Sequence, residues 1–395
     1  MRRQLFCLLL SAPFCTALYA DPVSNVIPIS VNYSDQGLTF SNPSGSFQTS
    51  LSGYMMADAF EAQHGIAGFH SGTNIRYARL NLDATILTNW AYELGYEMRT
   101  KDLTDASIAY NGWKNMYLEV GQFTPNVTFS NWLSNEMTPF LETAMPINAF
   151  APSYTQGIGY GVYNDQLALH VSTYTAGTQD TVSGRSPIGS SMRFLYSPFH
   201  TDGRAFEMGL SSWYYRPDSR KQVDFSTTPE IQTRNTDDLL DTGDISSVTH
   251  TLAGDLETVY VQGPWSAEGE YLLQRVNRDT HNENLQFGGY YVTGSYFLTG
   301  ESYVYSFPSG LFSNISPIHN KSWGAWEVLA QWSHLNLDDE DIHGGRANNA
   351  TLGLDWYPNN FFEFKLDYVH VMADPTKDGR DANDNIVALR TQVQF

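Results

Sequence analysis

Cysteine is missing from everything after residue 20, because both copies, Cys7 and Cys15, fall within the first twenty residues. Disulfide staples, a thiolate metal centre and a cysteine nucleophile are excluded from that part of the chain. Cations are scarce as well. Lys and Arg total 22 against 42 Asp and Glu, a net charge of -20, which excludes a surface built for nucleic acid. No apolar run beyond the first twenty residues approaches the roughly 20 residues of a membrane helix, and no helical period of any length is present. The ten histidines form no HExxH, and no GxSxG frames a serine. A hydrolase on a lipid-facing rim would need an ordered Ser, His and Asp set that the chain does not display. Nothing calls for a cofactor or a bound metal, and a non-enzymatic role is expected.

The chain begins with Arg2 and Arg3 before LFCLLLSAPFCTALYA, a secretory leader expected to occupy residues 1–20. Cleavage after Ala20 would begin the exported protein at Asp21, although Leu18 is larger than the residue usual three positions before a cut. Residues 21–45 are expected to be a periplasmic lead-in and 46–395 one β domain. Mean hydropathy is negative, yet Phe, Trp and Tyr make up 14% of the chain. Aromatics in a polar average arise when one face of each strand meets lipid and the other meets water.

Alternating segments, separated by Gly, Asn, Asp and Pro clusters, run from 47–59 to 386–395 and number about sixteen. Every second connection is short, as at TNW (88–90), GWKN (112–115), YND (163–165), QGPW (262–265) and PNN (358–360). The others are long and polar, notably 124–152 and 217–246. The connection 300–322 breaks this rule, being long where a short turn is due. In FFEFKLDYVHVM, Glu363, Lys365 and Asp367 share a face while Phe362, Phe364, Leu366 and Tyr368 take the other. The closing NIVALRTQVQF puts Val387, Leu389, Val393 and Phe395 opposite Arg390. A transmembrane antiparallel β-barrel, all-β, is the predicted fold.

WGAWEVLAQWSHLNLDDED, ATLGLDWYPNNFFEFKLDYVHV, the GPWSAEGEY hairpin and GLTFSNPSGSFQTSLSGYMMADAF together resemble the phosphate-selective porin O and P family. The resemblance implies a sixteen-stranded trimeric porin of the bacterial outer membrane with its third loop folded into the pore. It implies contacts with membrane lipid and lipopolysaccharide, and a terminal Phe395 that barrel-assembly machinery would recognise. It also implies passage of small solutes or ions, phosphate or polyphosphate among them.

The expected selectivity residues depart from that pattern. Where phosphate-selective members read G-R-x-Q-x-D, this chain has Gly53-Tyr54-Met55-Met56-Ala57-Asp58; where they read R-R-A-x-L-E, it has Arg76-Tyr77-Ala78-Arg79-Leu80-Asn81. Arg79, Asn81 and Asp83 share the expected inner face. From Asn115 to Gly184 there is no Lys or Arg, although this span carries the third loop with Glu119, Glu136 and Glu142. Alternation places about 15 acidic residues on the inner face against about 6 basic ones. The basic candidates are Arg79, Arg99, Lys101, Arg193, Lys365 and Arg390. Tyr54, Trp132 and Phe140 could form an apolar slide, and Trp132 and Phe140 could equally wedge the loop against the wall. The acidic runs DDEDIHGG (338–345) and DGRDANDN (378–385) are solvated loops or calcium-bridged contacts to lipopolysaccharide. A passive channel for small hydrophilic solutes with an acidic lumen is the function expected; anion uptake and an adhesive surface protein are the alternatives.

Overall fold

A computed structural model describes residues 28–34, 37–63, 71–232, 238–316, 318, 322–374 and 382–395. The leader and the first half of DGRDANDN lie outside them. Sixteen antiparallel strands close into a barrel. The first eight are β1 (Phe47–Ala62), β2 (Gly72–Ile86), β3 (Trp90–Glu97), β4 (Asp102–Trp113), β5 (Met116–Phe123), β6 (Thr155–Tyr163), β7 (Leu167–Thr175) and β8 (Ile188–Thr201). The second eight are β9 (Arg204–Arg216), β10 (Val248–Gln262), β11 (Trp265–Arg278), β12 (Leu285–Phe297), β13 (Ala325–Asp339), β14 (Ile342–Asn359), β15 (Phe362–Asp374) and β16 (Ala382–Gln394).

The wall follows from the period-two pattern. Lys365 and Asp367 are buried on the inner face, while Leu366 and Tyr368 between them stand exposed on the outer one. Exposed Trp90, Trp113, Trp265, Trp323 and Phe362 all lie beside the short-turn end, an aromatic girdle at one membrane interface. Closure pairs β16 with β1, Arg390 opposite Asp58, and the terminal Phe395 exchanges two 2.9 Å backbone hydrogen bonds with Gly53. The last residue is therefore tied down and leaves no open edge there. Just below it, a hairpin of Ser30–Ser34 and Gly37–Ser41 pairs onto β1 from Leu51 to Gln48, prolonging the seam towards the periplasm.

Two local departures from regular alternation matter for the lumen. In β2, Met56 of β1 faces Tyr77 and Ala57 faces Ile75, so Arg76 is the extra residue of a β-bulge. The bulge turns Arg76 inward, where it is buried, although plain alternation would send it to lipid. The acidic run 338–345 is not a loop: β13 reaches Asp339 and β14 starts at Ile342, leaving Glu340 and Asp341 as the turn.

The lumen is largely filled on one side. From the external end, helix α2 (Met145–Phe150) of the third loop packs with Phe225, Ile231, Leu239, Leu240 and Ile245 of the fifth loop. They bury against inward apolar side chains of β9–β16, such as Leu272, Phe287, Leu335 and Val371. From the periplasmic end, the long connection between β12 and β13 folds in as a hairpin, Tyr303–Ser306 and Leu311–Ile315. Its Tyr303 and Phe312 meet Phe129 of helix α1 (Phe129–Trp132) and Leu133, which follows it. Each such apolar side chain contributes about 1.5–3 kcal/mol when fully buried.

Gly310 shows how close the periplasmic hairpin comes to the wall. Its φ is +69°, and an added Cβ would stand 2.6 Å from Leu195 and 2.7 Å from Glu207. Gly310→Ala is expected to cost about 1–2 kcal/mol from the left-handed backbone alone, read as an earlier urea midpoint in detergent micelles.

Candidate functional site: the lumen beside the third loop

Residues 124–154 cross the lumen because the wall supplies what their exposed backbone groups lack. Thr128 caps α1 by accepting from the Asn131 amide at 3.0 Å. The freed amides of Phe129 and Ser130 donate to Glu257 at 2.8 Å and Glu270 at 2.9 Å. Further along, the Leu141 amide donates to Asp367 at 2.8 Å and the Leu141 carbonyl accepts from Arg390 at 2.6 Å. Lys365 donates to the Thr138 carbonyl. The fifth loop adds Glu230, which accepts from the Met145 amide at 3.0 Å; burial pushes its carboxyl up from the usual range.

The residues proposed from sequence divide into two groups. Six of them brace the loop or the seam rather than line open space. Arg390 holds Asp58 through a two-pronged pair, 2.8 and 2.7 Å, and stands 3.5 Å from Glu142. Glu142 also takes both prongs of Arg76, one at 2.9 Å. Arg193, fully buried, donates to Glu257 at 2.9 Å and to Asn126 of the third loop at 2.7 Å. It also reaches the Ser309 and Gly310 carbonyls of the periplasmic hairpin at 3.2 and 3.3 Å. Lys365 lies 3.1 Å from Glu363 and 3.7 Å from Asp355. Phe140 is buried between loop and wall, so its place is that of the wedge.

The other six, Tyr54, Arg79, Asp83, Glu119, Trp132 and Glu136, line the space left between the third loop and the β1–β8 wall. A cavity of about 320 Å³ lies there. A second, of about 510 Å³, shares Tyr54, Asn81, Trp132 and Glu136 with it and opens beside the periplasmic hairpin. Arg79 is engaged on all sides: it pairs with Asp105 and donates to Asn81 at 2.9 Å and to the Tyr154 hydroxyl at 2.8 Å. Among the described residues, Asp83, Glu119 and Glu136 have no basic partner within ion-pair range. Neither does Glu93, which lines the same cavity.

Arg99 and Lys101 sit at the external turn between β3 and β4, away from the cavity. Arg76, Glu93, Asp105 and Tyr154 were not foreseen. Glu93 had a signal, since Tyr92, Leu94 and Tyr96 are outward neighbours in AYELGYE. Arg76 had none, because only the bulge brings it inward.

The family model described as phosphate-selective porin O and P matches residues 51–395. Porin O of Pseudomonas aeruginosa is 24% identical over 91% of this chain and 90% of its own. Among solved structures, outer membrane protein OmpT of Vibrio cholerae in a trimer form superposes with a TM-score of 0.59, at 10% identity, over 89% of this chain and all of that one. The anion-selective porin from Comamonas acidovorans gives 0.56 at 12% identity, covering 88% of this chain and all of that one.

Proposed function

The chain belongs to the phosphate-selective porin O and P family and forms an outer-membrane channel, and from that premise we propose that its pore passes small cations more readily than anions. One observation carries this reading. Among the described residues, Arg76, Arg79, Arg193, Lys365 and Arg390 face the lumen and each is held by a carboxylate, whereas Glu93, Glu119 and Glu136 stand at the open cavity without a cation in ion-pair range. A guanidinium already bound by carboxylate and amide oxygens offers an anion few donors. Unpaired carboxylates in a narrow water-filled space raise the local cation concentration.

Transport needs no catalytic group: the wall and the two inward segments exclude by size, and charge sorts what remains. A homotrimer embedded in lipid and lipopolysaccharide, assembled through recognition of the Phe395 strand, completes the proposal; a trimer form of the OmpT fold supports the first part. Anion uptake is the rival reading, supported by the family description and by the name of the anion-selective relative in fold.

Reversal potentials in a planar bilayer under a KCl gradient test the choice. Cation preference is expected, and joint Glu93→Gln, Glu119→Gln and Glu136→Gln replacement is expected to move the reversal potential towards that of chloride. Clear anion preference in the unaltered protein, with phosphate blocking chloride current, would overturn the proposal.

A further inference from the structure

The 320 Å³ cavity joins two chemistries that a path for hydrated inorganic ions does not need together. One is the acidic set, Glu93, Glu119 and Glu136. The other is aromatic: Tyr54, Tyr117, Phe123 and Trp132 line the same space. Trp132 comes from the tip of α1, held by the hydrogen bonds that the Phe129 and Ser130 amides donate to the wall, and its ring stands 5.6 Å from that of His170. His170 is fixed in turn, with Nδ1 3.0 Å from the Tyr117 hydroxyl and Nε2 3.0 Å from the Pro308 carbonyl of the periplasmic hairpin. The indole is thus presented by a built surface. Within the cavity there is already one precedent for the pairing of cation and ring: the Arg79 guanidinium lies 5.6 Å from the Tyr154 ring centre.

We infer that this cavity is a binding subsite for small organic cations, alkylammonium compounds with an apolar flank, taken up as the channel's preferred cargo. The inference rests on the cation-preferring reading above and narrows it. An ammonium group is attracted both to unpaired carboxylates and to the negative face of Trp and Tyr rings, and its methyl or methylene groups bury against those rings without losing hydrogen bonds. Potassium or sodium would keep its water and gain little from the rings. Phosphate would face three carboxylates with its nearest guanidinium already occupied. A neutral sugar would stack on the rings and donate hydroxyls to the carboxylates, but it carries no charge to offset theirs. The volume is at the small end of ligand sites, which suits a compact cation better than an oligosaccharide.

Choline is the probe, with its uncharged tert-butyl isostere as the control, each added to the full-length protein in a planar bilayer carrying a potassium current. Choline is expected to block in a voltage-dependent way at concentrations where the isostere does not. Trp132→Leu is expected to weaken choline block about tenfold, and Trp132→Phe to keep most of it. Heat-modifiable migration establishes that each variant is folded before it is measured, and the Phe variant keeps the test available if the Leu variant fails. Equal block by choline and its isostere in a cation-preferring channel would overturn this inference while leaving the cation preference standing. So would choline block untouched by Trp132→Leu. An anion-preferring reversal potential would overturn both together.

Discussion

Arg193→Met is expected to release the third loop and the periplasmic hairpin together, giving a larger and noisier single-channel conductance and an earlier urea midpoint. This one guanidinium, itself fully buried, bonds Glu257 of the wall, Asn126 of the loop and two carbonyls of the hairpin. Methionine fills much of the same volume, so the loss is one of charge and hydrogen bonds rather than packing. Glu257 and the neighbouring Glu207, 3.7 Å away from the guanidinium, would be left buried without their cation. Breaking a buried pair in this way costs about 3–5 kcal/mol. The wall itself should still close, because its ladder of backbone bonds does not pass through Arg193. Adding Glu257→Gln to the variant is expected to restore part of the midpoint, since a neutral amide tolerates the vacated site better than a carboxylate. A quiet channel of unchanged conductance and midpoint would show that the inward segments are held elsewhere.

How much of this was legible in the sequence depends on which physical constraint wrote it. A charge on the lipid face is costly, so the parity of Lys365 against Leu366, or Arg390 against Leu389, could be read directly and the faces assigned. Strand number followed from the rhythm of short turns and long loops. The content of the lumen did not. Alternation marks Leu272, Val276 and Phe287 as one face of their strands but is silent on whether water or a loop lies against them. The loop residues that cover them, Ile231 and Leu239 among them, are scattered in a polar stretch with no period. The ion pairs were equally hidden, because Asp58 and Arg390 are separated by 332 positions and meet only when the barrel closes. A count of inner-face charges therefore overstated the free cations. Most of the basic residues it found are structural, which leaves the acidic ones to set the field.

Acid should loosen the third loop through Glu142. Burial alone would push this carboxyl up, but Arg76 and then Arg390 outweigh it and hold it below the usual carboxylate range. A depressed value in the folded state contributes stability that is present above the unfolded value, roughly 4.3 for Glu, and is lost as pH falls through the folded one. The loop is thus expected to stay pinned through mildly acidic conditions and to begin fluctuating in strong acid, seen as flicker in single-channel records. Protonation would leave two arginines converging on a neutral group, with Arg390 still held by Asp58 and Arg76 stripped of its charged partner. Glu142→Gln should produce that flicker at neutral pH and remove most of its further dependence on acid. Arg76→Gln should move the onset to higher pH instead, because burial then acts on Glu142 with only one cation opposing it. Opposite behaviour in these two variants, one losing the transition and the other advancing it, separates the Glu142 tether from general acid unfolding of the barrel, which would shift neither.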